Sequence, residues 1–268
     1  MLKKIFKPNY VLRTEKMDNQ AVYKKLINGI RDYFTKNNIK KAIIGLSGGI
    51  DSSLCAKLVV DAIGKENMHG LIMPVMGLSS QENVADAVEL CKLIGMSYSI
   101  IHINRFLEGF EDLEWGQSKI AKMNSASRIR AVLLYNYANT HNALVIGTSN
   151  KTEISLGYFT KYGDGAVDIE VIGELFKTDE RELARFLGIP EKIINKTPTA
   201  ELYHGQTDEE ELGVSYGELD KILKLHVDGK NVKEIIDKGF DRKIVENVIG
   251  RVKANEHKRN MPAVIKIF

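Results

Sequence analysis

The stretch that most constrains the fold of this chain is an apolar run, a glycine-containing turn and a helical pattern in direct succession. The apolar run covers residues 42–46 and predicts a short buried strand. The turn reads S-G-G-I-D-S-S over residues 47–53, and apolar residues then recur at helical spacing from Leu54 to Ala62. A strand that leads through a tight loop into a helix binds anions, because free backbone N–H groups and the positive end of the helix dipole face the loop.

The residue types in this turn suit a phosphate group. Gly48 and Gly49 let the backbone approach closely and adopt positive φ without steric cost, and the serines add hydroxyl donors. Asp51 is unexpected beside an anion unless Mg²⁺ lies between its carboxylate and the phosphates. The turn lacks the lysine of a Walker A loop and the spacing of a dinucleotide-binding G-x-G-x-x-G motif. The alternative is an ordinary Gly-Ser turn in which Asp51 caps the helix.

Composition excludes several classes of function. The chain has 268 residues, of which 44% are hydrophobic, and this is enough for a large core. A net charge of +3 argues against a nucleic-acid partner, and no apolar run is long enough to span a membrane. No apolar segment follows the first lysines, so we expect no signal peptide. Cys55 and Cys91 lie in apolar helical patterns and are expected to be reduced core residues of a cytoplasmic protein.

Strand and helix patterns alternate along the chain. Amphipathic patterns predict helices at residues 18–36 and 79–95, and apolar runs predict further strands at residues 69–75, 97–103 and 143–147. This alternation indicates an α/β fold with a doubly wound, mostly parallel sheet flanked by helices. Ligands bind to such sheets beyond the carboxyl ends of the strands. We expect one domain over residues 1–268.

Two helical patterns lie between the third and fourth predicted strands, at residues 106–114 and 117–139. The second pattern is apolar on nearly all sides from Ala131 to Ala138. A helix of this kind must be buried, either in the core or against another subunit.

A second informative stretch begins at the end of the fourth predicted strand and covers residues 147–177. It combines glycines with lysines and carboxylates, among them Glu153, Asp164 and Asp168. Long irregular connections in compact domains are usually functional. Asp51 and Glu153 follow the carboxyl ends of predicted strands, where two carboxylates can hold Mg²⁺ against a triphosphate. The alternative is a solvated loop with incidental charges.

Taken together, the motifs resemble those of the ammonia-dependent NAD synthetase family. The run S-G-G-I-D-S at 47–52 is similar to the pyrophosphate loop of the ATP pyrophosphatases, which GMP synthetase, asparagine synthetase and tRNA-thiolating enzymes share. The further motifs that match NAD synthetases are G-T-S-N-K-T-E at 147–153, F-T-K-Y-G-D-G at 159–165, L-F-K-T at 175–178, P-T-A-E-L at 198–202 and E-H-K-R at 256–259. The resemblance covers roughly residues 20 to 265.

The resemblance implies a reaction, cofactors and partners. Family members amidate deamido-NAD⁺ with ammonia, using ATP and Mg²⁺, and release AMP and pyrophosphate after forming an NAD-adenylate. They are homodimers of α/β subunits. Glutamine-using members carry an amidase domain ahead of the synthetase part, for which this chain has no room before residue 47. We therefore expect a cytoplasmic ligase that uses free ammonia.

The resemblance also implies roles for individual residues. The ATP phosphate loop corresponds to Gly45, Leu46, Ser47, Gly48, Gly49, Ile50, Asp51 and Ser52, and further ATP contacts correspond to Thr148, Lys177 and Thr199. The Mg²⁺ ligands correspond to Asp51 and Glu153. The deamido-NAD⁺ contacts correspond to Arg128, Lys161, Asp168, His257 and Lys258, with Arg130 as a weaker candidate beside Arg128.

Some of these roles depend on the resemblance alone. By itself, Lys177 would be a solvated lysine at a helix start, where a positive charge is electrostatically unfavourable. His257 and Lys258 would similarly belong to a solvated basic helix end. Asp164 lies in the K-Y-G-D-G loop and either handles the ammonium proton or binds substrate. We expect the catalytic residues to be Asp51, Asp164 and Lys177.

Two other functions stay open at this point. A tRNA-thiolating enzyme would share the first loop, but the modest charge and the absence of zinc-type cysteine pairs argue against it. An ATP-binding sensor of the universal-stress type would keep the fold and lack the metal carboxylates, yet Asp51 and Glu153 are both present. Release of pyrophosphate in the presence of deamido-NAD⁺ distinguishes an NAD synthetase from both alternatives, because neither of them releases it from this substrate.

Overall fold

The computed structural model describes residues 17–198 and 208–267. Its sheet contains β1 (Lys41–Gly45), β2 (Met68–Ile72), β3 (Ser97–Ile100), β4 (Ala143–Gly147) and β5 (Ile169–Glu170), in the order β3-β2-β1-β4-β5. All neighbouring strands are parallel. The doubly wound, parallel α/β fold is therefore confirmed.

Helices connect the strands and cover both faces of the sheet. The described helices are α1 (Asn19–Lys36), α2 (Ile50–Ile63), α3 (Gln81–Ile94), α4 (Asn104–Glu108), α5 (Lys119–His141), α6 (Lys151–Leu156), α7 (Lys177–Phe186), α8 (Glu191–Ile194), α9 (Asp208–Leu212), α10 (Tyr216–Val227), α11 (Val232–Ile236) and α12 (Arg242–Ala254). None of the helices in these ranges is long and apolar enough to cross a membrane.

The core is divided by the sheet. One cluster packs side chains of α1, α2, α3 and α7 on one face, and it includes Phe34, Leu54 and Leu183. A second cluster lies on the opposite face, where Ile43 and Val145 pack under α5. Residues from α10 to α12 form a further cluster against α6 and the start of α7. These packed layers fix the positions of the carboxyl ends of β1 and β4.

The order of the strands locates the functional edge. The chain runs from β1 outward to β2 and β3, and it then returns to place β4 on the other side of β1. The loops that follow the carboxyl ends of β1 and β4 therefore run in opposite directions and leave a crevice between them. Crevices at such switch points are where parallel α/β sheets bind ligands.

Several predicted boundaries are wrong. β2 ends at Ile72, two residues before Pro74, which has no N–H to donate to a ladder. β3 ends at Ile100 because this residue pairs with Ile72, the last residue of its neighbour β2. The predicted helix at 106–114 is the five-residue α4, which ends before Gly109.

The long helix α5 is buried on only part of the surface that the sequence pattern predicts to be covered. Ala131 and Ala138 are buried, but the Val132 side chain between them is 66% exposed. Burial in the core of this chain therefore does not account for the whole of α5. Burial against a second subunit stays a prediction.

Candidate active site

The β1–α2 loop, which we define as residues 45–52 so that it includes the end of β1 and the start of α2, is held in shape by its own serines. The Ser47 backbone N–H donates to Ser52 Oγ over 3.3 Å, and the Gly49 N–H donates to Ser47 Oγ over 3.2 Å. Gly49 is the N-cap of α2, and it has no side chain with which to cap the helix. The first N–H groups of α2 therefore stay available to an anion.

Gly48 is required in this loop for two independent reasons. Its φ of +81° lies in the left-handed region that L side chains rarely adopt. A Cβ at this position would also lie 2.1 Å from the Asn83 carbonyl oxygen of α3. The predicted positive φ is therefore confirmed at Gly48 and is wrong at Gly49, whose φ is −90°. The close approach of this backbone to a phosphate stays a prediction.

Asp51 lies between the carboxyl ends of β1 and β4. Its Oδ2 accepts from Lys177 Nζ over 2.5 Å, and its Oδ1 accepts from Asn150 Nδ2 over 2.8 Å. The lysine side chain is only 2% exposed, whereas the Asp51 side chain is 23% exposed. Three segments that are far apart in sequence therefore meet at one carboxylate.

Asn150 joins Asp51 to Glu153. The Asn150 side chain caps α6 by accepting from the Glu153 backbone N–H over 3.0 Å, and Glu153 Oε2 accepts from the Asn150 N–H over 3.3 Å. Sequence reasoning missed Asn150 as a site residue. The N-x-x-E spacing before a helix is the signature of a capping box and could have identified it.

The carboxylates around Lys177 strongly affect one another. Burial raises the pKa of Asp51, but the charge of Lys177 and the hydrogen bonds from Lys177 and Asn150 outweigh this, so the pKa falls below its usual value. Burial and the neighbouring Asp51 charge raise the pKa of Glu153 well above its usual value. Glu180 is buried on α7 with its Oε2 3.3 Å from Lys177 Nζ, and burial and Asp51 raise its pKa as well.

This donor set fits Mg²⁺. Asp51 and Glu153 supply carboxylate oxygens, which Mg²⁺ prefers, and their mutual repulsion is relieved by a divalent cation. In the two described ranges, no group of three or more His, Cys, Asp or Glu side chains is arranged to hold a metal. The protein would therefore contribute few ligands, as is usual for Mg²⁺ bound together with substrate phosphates.

Four of the five predicted dinucleotide contacts lie together around the F-T-K-Y-G-D-G loop. Arg128 Nη2 donates to the Lys161 carbonyl over 3.3 Å, and Lys161 Nζ donates to the His257 carbonyl over 2.6 Å. Lys258 Nζ donates to the carbonyls of Gly157 and Phe159 over 2.8 and 2.9 Å. The loop is thus tied to α5 on one side and to residues 257–258 on the other.

Asp164 is positioned within this loop by Ser127. Asp164 Oδ1 accepts from Ser127 Oγ over 2.6 Å and from the Thr160 N–H over 3.1 Å. Ser127 Oγ in turn accepts from the Asp164 N–H over 2.9 Å. Ser127 is a supporting residue that sequence reasoning missed, because nothing in the helical pattern of α5 distinguishes it.

The remaining predicted residues do not belong to the Asp51 cluster or to the bonds around the F-T-K-Y-G-D-G loop. Both Asp168 carboxylate oxygens already accept bonds, from the Val145 N–H over 2.7 Å and from Tyr135 Oη over 3.1 Å. Thr148 follows β4 directly and is half-buried. Arg130 Nε donates to the Met73 carbonyl over 3.0 Å. Thr199 lies outside the described residues.

Lys196 is a further residue that sequence reasoning missed. Its Nζ donates to Asn83 Oδ1 over 2.5 Å, to the Gly48 carbonyl over 3.4 Å and to the carboxylate of Asp86. Asp86 is buried on α3 and also pairs with Lys192 over 2.7 Å. The β1–α2 loop is thereby fixed from outside by α3 and by the segment after α8.

A parallel sheet with an S-G-G-I-D-S loop at the carboxyl end of its central strand defines an α/β protein of the pyrophosphate-loop class. The sequence model of the NAD synthase family matches residues 22–262. The chain belongs to the NAD synthase family.

Individual relatives agree with this assignment. The chain is 43% identical over 251 residues to an NH₃-dependent NAD⁺ synthetase from Archaeoglobus fulgidus, covering 94% of this chain and 98% of the relative. Among solved structures, it is similar to an NMN synthetase from Francisella tularensis, with a TM-score of 0.83 and 33% identity. It is also similar to an NH₃-dependent NAD synthetase from Campylobacter jejuni in complex with the nitrate ion, with a TM-score of 0.80 and 33% identity. Each structural match covers 94% of this chain and 100% of the other.

Proposed function

We propose that this chain is a ligase that amidates deamido-NAD⁺ with free ammonia, consuming ATP and producing NAD⁺, AMP and pyrophosphate. The observation that carries the proposal is the meeting of Asp51, Asn150 and Lys177 beyond β1 and β4 in a member of the NAD synthase family. The name of the Archaeoglobus fulgidus relative, which aligns over nearly its whole length, supports ammonia as the nitrogen donor.

In this proposal the β1–α2 loop binds the ATP phosphates through its backbone N–H groups and serine hydroxyls. Thr148 and Thr199 contact the rest of ATP. An oxygen of the nicotinate carboxylate attacks the α-phosphorus, the bond from that phosphorus to the bridging oxygen breaks, and pyrophosphate leaves. The nearly buried ammonium group of Lys177 stabilises the charge that develops on the phosphates.

The second half of the reaction needs no nucleophile from the protein. Ammonia attacks the carbonyl carbon of the NAD-adenylate, a proton is lost, and AMP leaves with the former carboxylate oxygen. Asp164 accepts that proton or binds substrate. Unchanged turnover of Asp164→Asn at saturating ammonia would exclude the first of these roles.

Mg²⁺ is the expected cofactor, and Asp51 and Glu153 are its expected ligands. When bound, it neutralises charge on the triphosphate. The raised pKa of Glu153 beside Asp51 supports this assignment, because two repelling carboxylates favour a cation between them.

Deamido-NAD⁺ binds along the F-T-K-Y-G-D-G loop, and its contacts are Arg128, Lys161, Asp168, His257 and Lys258. We expect a homodimer, which the exposed Val132 on α5 supports. We also expect a cytoplasmic location without nucleic-acid or membrane partners. The buried, unpaired Cys55 and Cys91 are consistent with a reducing compartment.

A second acceptor is favoured by one observation. The similarity to an NMN synthetase from Francisella tularensis covers 94% of this chain. In this second proposal the chain amidates nicotinate mononucleotide, which carries the same nicotinate carboxylate as deamido-NAD⁺.

The test is a comparison of acceptors and nitrogen donors. The purified protein receives ATP and Mg²⁺, either deamido-NAD⁺ or nicotinate mononucleotide, and either ammonium or glutamine. We expect AMP, pyrophosphate and NAD⁺ in equal amounts, with a higher kcat/KM for deamido-NAD⁺ and ammonium. A higher kcat/KM for the mononucleotide would favour the second function, and no pyrophosphate with either acceptor would contradict both.

A further inference from the structure

Asp220 is a buried carboxylate outside the residues assigned so far. It lies on α10, and the residue is 1% exposed. Its Oδ1 accepts from Thr152 Oγ1 over 2.6 Å, and its Oδ2 accepts from the Thr178 N–H over 2.8 Å. A carboxylate buried in this way is costly unless both oxygens are paired, and here each oxygen has a donor on a different helix.

Thr152 extends this connection to Lys177. It is fully buried on α6, next to Glu153, and its Oγ1 accepts from the Lys177 N–H over 3.0 Å. One hydroxyl therefore donates to Asp220 and accepts from the first residue of α7. The chain of bonds joins the helix that carries Glu153 to the helix that carries Lys177.

The N-terminus of α7 depends on these two residues. Its N-cap is Phe176, which cannot cap the helix with its side chain. The N–H groups of Lys177 and Thr178 are instead paired with Thr152 and Asp220. A carboxylate at this end of a helix also interacts favourably with the helix dipole.

We propose that Asp220 is a positioning residue that sets the location of the Lys177 ammonium relative to Glu153. The inference rests on the proposed function, in which Glu153 holds Mg²⁺ and Lys177 contacts the phosphates. Asp220 touches neither ATP nor the cation. It acts through Thr152 and the first turn of α7, and its loss moves Lys177 away from Asp51.

A purely structural role makes a different prediction. In that case, loss of Asp220 lowers stability in the same way as loss of any helix cap and leaves nucleotide binding unchanged. Ser215→Ala provides the matched control, because Ser215 is exposed and caps the same helix α10 by accepting from the Glu218 N–H over 3.4 Å. The control lowers stability without disturbing the bonds to α6 and α7.

The experiment measures binding of α,β-methylene-ATP, which cannot release pyrophosphate, by calorimetry with and without Mg²⁺. Thermal midpoints are recorded for the same samples. We expect Asp220→Leu and Thr152→Ala to raise the Kd in the presence of Mg²⁺ at least tenfold. Thr152→Ser, which keeps the hydroxyl, and Ser215→Ala should stay within twofold of wild type.

Each outcome decides between the roles. Equal Kd values for Thr152→Ala, Thr152→Ser and wild type would overturn the inference even if Asp220→Leu does not fold. The inference would also be overturned if Ser215→Ala raised the Kd as much as Asp220→Leu does and if, in both variants, the rise in Kd followed the fall in the thermal midpoint. A wild-type chain that binds no analogue would contradict the proposed function itself, whereas intact wild-type binding with unaffected variants would contradict only the role of Asp220.

Discussion

At the residue scale, Lys177 determines the charge balance of the site. It is the cation that pairs with Asp51 over 2.5 Å and with Glu180 over 3.3 Å, and its side chain is 2% exposed. Burial lowers its pKa, but the charges of Asp51, Glu180 and Glu153 outweigh this and raise it above its ordinary value. The three carboxylates therefore favour the charged form of Lys177 over its neutral form.

Replacing Lys177 by Met should damage both activity and stability. Loss of a preorganised charge at the phosphates should lower kcat about 10²–10³-fold. Leaving Asp51 and Glu180 without a buried counter-ion should lower the free energy of unfolding by about 3–5 kcal/mol. Steady-state kinetics and urea denaturation measure the two effects.

Lys224→Met is the matched control. Lys224 pairs with Asp179 over 2.9 Å, but both side chains are about one-third exposed. Such a pair contributes about 0–1 kcal/mol, and it lies outside the proposed machinery. Equal losses of kcat in the two variants would contradict a special role for Lys177.

A second residue-scale prediction concerns Glu170 and pH. Burial raises the pKa of Glu170 to about 7, and Asp164 adds to this, although the hydrogen bond from the Ser149 N–H over 3.0 Å opposes it. Between the usual pKa of a glutamate, about 4.3, and pH 7, the folded state binds more protons than the unfolded state. The free energy of unfolding should therefore fall as pH rises through this window.

Glu170→Gln should remove that part of the pH dependence. Gln keeps an acceptor for Ser149 and does not titrate, so we expect its stability to exceed that of wild type by about 1–3 kcal/mol at pH 8 and much less at pH 4.5. Urea denaturation at a series of pH values measures the difference. Parallel stability curves for the two proteins would show that Glu170 is not responsible.

At the element scale, the sequence predicts the bounds of central strands better than those of edge strands. The predicted strand at 143–147 has the observed bounds of β4, because all five of its residues are buried and apolar. β5 was not predicted, since it has only two residues and one of them is Glu170. β3 is an edge strand with mostly exposed residues, so its hydrophobic pattern did not define its end.

In the candidate active site, the sequence likewise predicts features that are local in the chain and misses contacts between distant segments. The β1–α2 loop is local in sequence, so its glycines and Asp51 could be found from the pattern alone. The pairing of Asp51 with Lys177 spans 126 residues, and the bonds of Asp220 to Thr152 and Thr178 span 68 and 42. Contacts of this kind depend on how helices pack, which local patterns do not contain.

The β1–α2 loop allows a prediction at the element scale. Gly48→Ala places a Cβ in the left-handed region and against the Asn83 carbonyl at 2.1 Å. The backbone strain alone costs about 1–2 kcal/mol, and relief of the clash must shift either the loop or α3. We expect at least a tenfold rise in the Kd for α,β-methylene-ATP, measured by calorimetry.

Gly217→Ala is the control for Gly48→Ala. A Cβ at Gly217, inside α10, meets nothing within 4 Å. Alanine is favoured over glycine in a helix by about 1 kcal/mol, so this variant should be slightly more stable and bind nucleotide normally. Normal nucleotide binding by Gly48→Ala would contradict the proposed role of the loop.

At the scale of the whole molecule, the exposed part of α5 tests the expected homodimer. Val132 is 66% exposed on a helix whose neighbouring residues Ala131 and Ala138 are buried. If this surface lies against a second copy, Val132→Glu should weaken dimerisation at least tenfold, because a charge would be buried in the interface. Sedimentation equilibrium measures the change.

Leu93→Glu is the control for this substitution, because Leu93 is 61% exposed on α3, which packs on the opposite face of the sheet from α5. A dimer that withstands Val132→Glu would place the interface elsewhere. A wild-type chain that sediments as a monomer at micromolar concentration would contradict the dimer itself.

The most direct test of the proposed function follows the oxygen atoms of the substrate. The protein is incubated with ATP, Mg²⁺, ammonium and deamido-NAD⁺ that carries ¹⁸O in both oxygens of the nicotinate carboxylate. Mass spectrometry then measures the ¹⁸O content of each product. Attack of the carboxylate on the α-phosphorus predicts one ¹⁸O in AMP, one in NAD⁺ and none in pyrophosphate. AMP without label, or ADP and phosphate in place of AMP and pyrophosphate, would contradict the adenylate and with it the chemistry assigned to this site.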